Sequence, residues 1–244
     1  MRVNTLFSPV MTDELYFAGK TVVVIDVLRA STTIISALQN GAKEIVPVAT
    51  VEFEVKVSGG MFGGQTLLGG ERNTRKIEGF ALGNSPLEYL PEIVSGKTII
   101  YYTTNGTKAI VKAKFAGNLF VCSYSNLSAI RDHIIRLGKD FLILCAGKSN
   151  GFSLEDFVCA GRLIKEIADI REDLEISDTS RAAVSLNKSF GKNVLKMLVE
   201  TEHGKLLHEN GFEDDLKFTA KMDTSTVIPY FSVNVLKSLP GDLD

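Results

Sequence analysis

The chain has 244 residues, of which 45% are hydrophobic and 23% are charged, and its formal net charge is −2. This composition excludes a disordered chain. The sequence has no basic stripe typical of a nucleic-acid-binding protein, and no apolar run approaches the roughly 20 residues of a membrane helix. We expect one domain over residues 1–244, which could divide into lobes at roughly 1–95 and 96–244. Because the N-terminus lacks the apolar segment of a secretory signal, we expect a cytoplasmic protein without nucleic-acid or membrane partners. A homodimer is the base-rate expectation for its assembly.

Three apolar runs, at 19–25, 96–102 and 138–145, are predicted to form buried strands. Each is followed by a polar loop and then by apolar residues at helical spacing. Continuous apolar runs of this kind are typical of parallel strands that are covered on both faces. The pattern predicts a three-layer α/β/α fold around a parallel or mixed sheet.

The first two units each close with another apolar run, at 44–48 and 118–122. An internal duplication of a β-loop-α-β unit and a chance similarity of two such units explain this equally well.

Elsewhere, apolar spacing predicts helices over 126–137, 180–201 and 202–210, and a short strand at 66–68. A short helix at 51–57 and a flexible glycine-rich segment at 58–64 are expected before that strand.

Polar loops follow the three main strands at 26–33, 103–107 and 146–151, and each leads into a predicted helix. Ligands of open α/β sheets bind beyond the carboxyl ends of the strands. Helix N-termini favour anions, because their free amides and the helix dipole both attract negative charge. We therefore expect the three loops to form one pocket for a small anion.

The first loop contains a carboxylate, a guanidinium and three hydroxyls. Asp26 is suited to hold a divalent cation or to orient a water, and Arg29 is suited to clamp a phosphate, sulfonate or carboxylate. Ser31, Thr32 and Thr33 can donate hydrogen bonds to oxyanions. In the alternative interpretation, Ser31 or Thr32 caps the helix and Asp26 merely ends a strand. The Asp-x-x-Arg pair directly after an apolar strand favours a functional site.

The second loop has no charge, and its hydroxyls, amide and glycine suit either an oxyanion-binding nest or an ordinary turn. Its residues are Thr103, Thr104, Asn105, Gly106 and Thr107.

The third loop supplies the cation Lys148 and leads to Ser153, Glu155 and Asp156. The spacing of Ser153 and Asp156 resembles a helix-capping box, so the residues alone favour a cap over a metal site.

Two further segments bring candidate residues, although both can also be plain turns. Glu71 and Arg72 repeat the pairing of an acid with an arginine, and Asn84 and Ser85 open a predicted helical turn.

Several other kinds of site are excluded. The segment Gly147-Lys148-Ser149 is not a P-loop, because Leu142 stands where that motif requires its first glycine. Asp26 lacks the second Asp of an Asp-x-Asp phosphatase nucleophile. The cysteines (Cys122, Cys145, Cys159) and the histidines (His133, His203, His208) have no metal-binding spacing, so we expect buried or solvated structural roles for them.

Five segments together resemble the 2-phosphosulfolactate phosphatase family. They are DVLRASTT at 26–33, GGER at 69–72, GFALGNSPLEY at 79–89, TTNGT at 103–107 and EDFVCAG at 155–161. Weaker similarity continues at 180–182 and 223–229, so the resemblance covers most of the chain. The glycine-rich stretch at 58–64 departs from the more helical segment that members of the family usually have there.

The resemblance implies a Mg²⁺-dependent hydrolase that releases phosphate from 2-phospho-3-sulfolactate, a step toward coenzyme M, in a cleft between two lobes. It implies metal ligands among Asp26, Glu71, Glu155 and Asp156. Cations that match the phosphate, sulfonate and carboxylate of this substrate are Arg29, Arg72, Lys148 and Arg181.

We expect Asp26 and Arg29 to be the catalytic residues, with Mg²⁺ activating a water and Arg29 stabilising charge in the transition state. Attack on phosphorus by Asp26 itself stays open as the alternative. A phosphatase for another small phosphorylated acid, and an anion-binding protein without turnover, are the alternatives.

Overall fold

The structure is a computed structural model that describes residues 1–51 and 65–239. Its strands are β1 (Arg2–Leu6), β2 (Thr21–Ile25), β3 (Glu44–Val48), β4 (Thr66–Arg72), β5 (Arg75–Lys76), β6 (Thr98–Tyr102), β7 (Asn118–Cys122), β8 (Phe141–Cys145), β9 (Glu175–Ile176), β10 (Pro229–Ser232) and β11 (Val235–Ser238).

The α-helices of the described residues are α1 (Ala30–Gln39), α2 (Pro91–Val94), α3 (Gly106–Lys112), α4 (Leu127–Leu137), α5 (Leu154–Ala168), α6 (Asp178–Phe190), α7 (Val194–Glu200), α8 (Glu202–Glu209) and α9 (Glu213–Thr219). Short 3-10 turns lie at Pro9–Met11, Glu14–Phe17, Pro86–Glu88 and Tyr124–Asn126. No helix in this part of the chain is both long and apolar enough to span a bilayer.

The strands form one mixed sheet in the order β5-β4-β6-β3-β11-β10-β7-β2-β8-β1-β9. Strands β4, β6 and β3 form one parallel group, and β7, β2, β8, β1 and β9 form a second. The antiparallel hairpin β10–β11 lies between the groups and pairs with β7 on one side and with β3 on the other. The expectation of a parallel or mixed sheet is confirmed, and the sheet is mixed.

Helices cover both faces of the second group, because its strands are apolar on both sides. Val23 and Ile25 of β2 pack in one core with α4 and α5. Val22 and Val24 point to the opposite face, where they share a second core with α1 and α3. This is the predicted three-layer α/β/α arrangement. Burial of each such side chain contributes about 1.5–3 kcal/mol to folding.

The second core also contains Ile45, Ile99 and Tyr101 from β3 and β6. Helices α1 and α3 therefore belong to a core that both strand groups line. This shared core is what allows loops from both groups to reach a common site.

Most predicted elements are confirmed, including the strands at 19–25, 96–102 and 138–145 and the helices over 126–137 and 202–210. The strand predicted at 66–68 is the start of a longer β4. A single helix over 180–201 is wrong, because α6 ends at Phe190 and α7 begins after Asn193, whose side chain accepts a hydrogen bond from the Lys196 amide at 2.9 Å. The helix predicted at 51–57 and the glycine-rich segment lie outside the described residues apart from Val51. The internal duplication and the division into lobes stay predictions.

Candidate active site

The loops after β2 and β8 are tied together by one buried carboxylate, that of Asp156. Its Oδ1 accepts the amide of Val27 at 2.8 Å, and its Oδ2 accepts the amide of Gly147 at 3.1 Å. Ser153 caps α5 by accepting the Asp156 amide at 3.4 Å. The cap predicted from the sequence is therefore present, and the same helical turn also holds an acid between two of the predicted loops.

The loop after β6 approaches the first loop at Gly106, the first residue of α3. A Cβ atom on Gly106 would lie 2.4 Å from Oδ2 of Asp26 and 2.4 Å from Cβ of Ala30. Neither contact is sterically allowed, so only glycine lets α3 approach the carboxylate this closely. All three predicted loops therefore meet at Asp26 and its neighbours.

Glu71 joins the end of β4 to the same region. Its Oε1 accepts the amide of Thr104 at 2.7 Å, its Oε2 accepts the amide of Thr74 at 2.8 Å, and the residue is 7% exposed. The preceding Gly70 has a φ of +144°, and a Cβ there would lie 1.9 Å from the carbonyl oxygen of Tyr102. The glycine thus lets β4 carry Glu71 against the loop of the neighbouring strand β6.

Glu155 follows Leu154 in the first turn of α5, and His203 lies opposite it on α8. Nδ1 of His203 is 3.6 Å from Oε1 of Glu155, and the histidine side chain is 18% exposed. His203 is partly buried and faces Glu155, and its expected solvated or core role stays a prediction. No spacing motif in the sequence identifies His203 as a site residue. The only local signal is that Thr201 caps the start of its helix by accepting the Gly204 amide at 3.0 Å, and this signal is weak.

Burial and neighbouring acids raise the pKa values of Asp26 and Asp156. The pKa of Asp26 is raised from 3.8 to about 7, chiefly by burial, and the charges of Glu71 and Glu155 add to this while His203 opposes it. The pKa of Asp156 also lies well above its usual value because of burial and the charges of Asp26 and Glu155. The cluster of Asp26, Glu71, Glu155 and Asp156, hereafter the acid cluster, therefore has more negative charge than its protein surroundings neutralise.

The acid cluster fits a hard divalent cation in its donor chemistry but is not a closed cage. Within residues 1–51 and 65–239, no three His, Cys, Asp or Glu side chains converge into a metal-binding group. Mg²⁺ needs no such cage, since it keeps several water ligands and typically binds proteins through one or two carboxylates and a substrate phosphate. The roles of the four acids as metal ligands stay predictions.

Arg29 is buried and already engaged by protein groups. Nη1 donates to Oδ2 of Asp215 at 2.6 Å, and Nη2 donates to the carbonyl of Thr74 at 3.0 Å. Its guanidinium carbon lies 4.1 Å from the centre of the Phe212 ring, and the side chain is 1% exposed. Oδ1 of Asp215 accepts a further hydrogen bond from Ser85 at 2.6 Å. Arg29 therefore links the first loop to α9, through partners that the sequence did not reveal.

The hydroxyls of the first loop are used inside the protein. Ser31 accepts the Asp26 amide at 2.8 Å, and Thr32 donates to the Val27 carbonyl at 2.9 Å. Thr33 donates to the carbonyl of Asn84 at 2.8 Å. None of these hydroxyls caps the free amides of α1. Both sequence interpretations miss this arrangement, in which the hydroxyls fix the loop that carries the carboxylate.

In the second loop, Thr103 and Thr107 cap each other. Each hydroxyl oxygen accepts the other residue's amide at 3.0 Å. Thr104 differs, because its buried Oγ1 has no hydrogen-bond partner in the described structure. Asn105 precedes α3 without a side-chain cap. Thr104 is thus the hydroxyl of this loop that a bound ligand can satisfy.

The sequence of this chain matches that of known proteins along almost its whole length. A sequence model of the 2-phosphosulpholactate phosphatase family matches residues 8–234. The chain belongs to this family. Its resemblance to these phosphatases is therefore confirmed, and with it the expectation of an enzyme.

Relatives in several bacteria are named probable 2-phosphosulfolactate phosphatase. One from Caldanaerobacter subterraneus subsp. tengcongensis is 40% identical over 219 residues, which cover 90% of each chain. One from Thermotoga maritima is 41% identical over 225 residues, which cover 91% of this chain and 94% of the relative. One from Clostridium acetobutylicum is 36% identical over 232 residues, which cover 95% of this chain and 98% of the relative.

The structure of this phosphatase family member separates the predicted substrate-binding residues into two sets. Asn84 lies inside, where its Oδ1 accepts the hydroxyl of Tyr101. Arg72 is exposed directly after Glu71. Lys148 is 28% exposed in its side chain, and its Nζ lies 3.5 Å from Oε2 of Glu202. Arg72 and Lys148 are thus solvent-accessible cations next to loops of the acid cluster.

Arg181 lies apart from the acid cluster, and its role as a substrate-binding residue stays a prediction. It is exposed near the start of α6, which runs antiparallel to α5. The antiparallel pairing is fixed by Asn187, which donates to the Val158 carbonyl at 3.3 Å, and by Gly161, which packs against Ala183. The start of α6 therefore lies beside the middle of α5, beyond the first turn that carries Glu155.

Proposed function

We propose that this chain is a Mg²⁺-dependent phosphatase that hydrolyses 2-phospho-3-sulfolactate to 3-sulfolactate and phosphate. The observation that carries the proposal is the acid cluster, in which burial, together with the charges of Glu71 and Glu155, raises the pKa of Asp26 to about 7. A site built only to hold an anion has no use for four buried carboxylates, since they repel it. The family of the chain and the names of its relatives supply the substrate. A cytoplasmic location, a homodimer and a step toward coenzyme M are parts of the same proposal.

The carboxylates differ in how freely they can hold a cation. Both oxygens of Glu71 and both oxygens of Asp156 accept backbone amides, which fixes these two side chains in place. Asp26 and Glu155 would hold Mg²⁺ directly, with Glu71 and Asp156 adding charge or a further ligand. The bound ion would neutralise the phosphate and act as a Lewis acid.

Asp26 would act on the attacking group in one of two ways. In the first, its carboxylate accepts a proton from a water that attacks phosphorus. Alternatively, the carboxylate attacks phosphorus itself, the ester P–O bond breaks and 3-sulfolactate leaves after its oxygen takes up a proton; water then hydrolyses the aspartyl phosphate and releases phosphate. Quenching turnover with borohydride separates the two, because it reduces an aspartyl phosphate to homoserine. Homoserine at position 26 would rule out direct attack by water.

The remaining groups would bind and orient the substrate. Arg72 and Lys148 are accessible cations for its sulfonate and carboxylate, and the unpaired hydroxyl of Thr104 can donate to an oxyanion. Arg29 would act indirectly, because its pairing with Asp215 fixes the loop that carries Asp26.

The decisive assay measures phosphate release from 2-phospho-3-sulfolactate and from a panel of other small phosphorylated acids, with Mg²⁺ and with EDTA. We expect release that requires Mg²⁺ and prefers the sulfonated substrate. Preference for another acid would support the alternative substrate. No release from any of them would favour an anion-binding protein.

A further inference from the structure

A cavity of about 680 Å³ lies at the other end of the central strands from the acid cluster. Its walls include Thr21 and Phe141, the first residues of β2 and β8. Asp26 and Gly147 stand just beyond the last residues of the same strands. Five residues of strand span about 16 Å, so the cavity is separate from the candidate active site.

The charge of this cavity is positive. Arg2, Lys20 and Lys139 line it together with one acid, Asp140. Oδ1 of Asp140 already accepts the backbone amide of Arg2 at 2.8 Å. Within the described part of the chain, none of the three cations forms an ion pair with a carboxylate. An anion is therefore the group that these walls favour.

One of these cations is held in a defined position. The ammonium of Lys20 donates to the carbonyl of Tyr16 and lies 3.7 Å from the centre of the Tyr16 ring. A cation fixed in this way loses less conformational freedom when it binds a ligand than a free lysine does.

The cavity also has apolar walls, formed by Tyr16, Phe141 and Leu142. Its volume falls within the 300–1,000 Å³ that is usual for small-molecule sites. A bare inorganic anion would leave these walls in water, whereas an anion with an apolar body would cover them. We propose that the cavity is a second, non-catalytic binding site for a small organic anion that joins an aromatic or aliphatic body to a sulfonate, carboxylate or phosphate group.

A second basic cavity of about 450 Å³ provides a matched control. It lies between α5 and α6, and its lining combines Asn187 and Gly191 with the cations Arg162, Lys165, Lys188 and Lys192. No aromatic or branched apolar side chain lines it, so the only apolar surface it offers beside its charges is that of the aliphatic stems of its cations.

The probe is 8-anilinonaphthalene-1-sulfonate, whose fluorescence rises when its rings leave water. We expect the full chain with Mg²⁺ to bind about one probe, with a Kd at least tenfold weaker in the K20Q/K139Q double variant, which corresponds to about 1.4 kcal/mol. The K188Q/K192Q variant removes the same charge from the control cavity and should leave the Kd within about twofold. Benzenesulfonate should displace the probe at lower concentration than inorganic phosphate does.

Equal weakening in both double variants would overturn the proposal, because it would mean a general charge effect. An unchanged Kd in K20Q/K139Q would overturn it as well. The same variant should release phosphate at the wild-type rate, which separates this test from that of the proposed function. A loss of turnover together with probe binding would contradict the separation of the two sites.

Discussion

Replacement of Asp26 by asparagine should stabilise the metal-free protein at alkaline pH while abolishing phosphate release. The pKa of Asp26 is raised in the folded protein from 3.8 to about 7. At a pH well below 3.8 the group is protonated in both the folded and unfolded states, so it costs no stability. As the pH rises to about 7 the unfolded chain ionises first, and the folded protein loses stability throughout that window. A shift of about 3 pKa units corresponds to roughly 4 kcal/mol at pH 8, because each unit is worth 1.36 kcal/mol.

Urea unfolding in EDTA, at pH 4.5 and pH 8, measures this effect. D26N should exceed the wild type by only about 1 kcal/mol at the lower pH, where the unfolded chain has just begun to ionise, and by up to about 4 kcal/mol at the higher pH. Mg²⁺ should then stabilise the wild type more than the variant, because it removes the same repulsion. D173N is the control, since the pKa of the exposed Asp173 is lowered by Arg171, and its loss should bring no gain at pH 8. A D26N protein that is no more stable than the wild type at pH 8 would refute the reasoning.

Three further substitutions test individual contacts. D215A removes the partner of buried Arg29 and should lower the free energy of unfolding in urea by about 3–5 kcal/mol. D214A is the control, because Asp214 forms only an exposed pair with Lys217, and it should cost under about 1 kcal/mol. Equal costs would contradict the buried pairing. G106A places a Cβ 2.4 Å from Asp26 and should cost about 1–3 kcal/mol and most of kcat, so wild-type kinetics would show that the contact is not tight. T104V removes an unpaired hydroxyl and should lower kcat/KM about tenfold without loss of stability. T107V breaks a reciprocal cap and should lower the free energy of unfolding by about 1–2 kcal/mol. An unchanged kcat/KM in T104V would exclude a ligand contact.

The sequence predicted the central strands and the loops that carry the acids, because both depend on local patterns. An apolar run with a polar residue at its end identifies β2 and Asp26 without any knowledge of the rest of the chain. The same reasoning could not find Asp215 or His203, since their partners, Arg29 and Glu155, are distant in the sequence and no periodicity records the contact.

The hydroxyls show a second kind of limit. Ser31 and Thr32 are good donors by residue type, but their direction depends on the fold of the loop, which turns them toward its own backbone. The hairpin β10–β11 was not predicted, because its short strands are only partly buried and lack a long apolar run.

The position of that hairpin affects the order in which the molecule can form. It is synthesised after every other strand of the described structure, yet it lies at the centre of the sheet between β3 and β7. Each parallel group can assemble while the chain is still emerging from the ribosome, but the two become one sheet only when residues 229–238 are free to insert. Loss of this segment would therefore open the sheet along its middle, and the acid cluster, whose loops come from both groups, would separate with it.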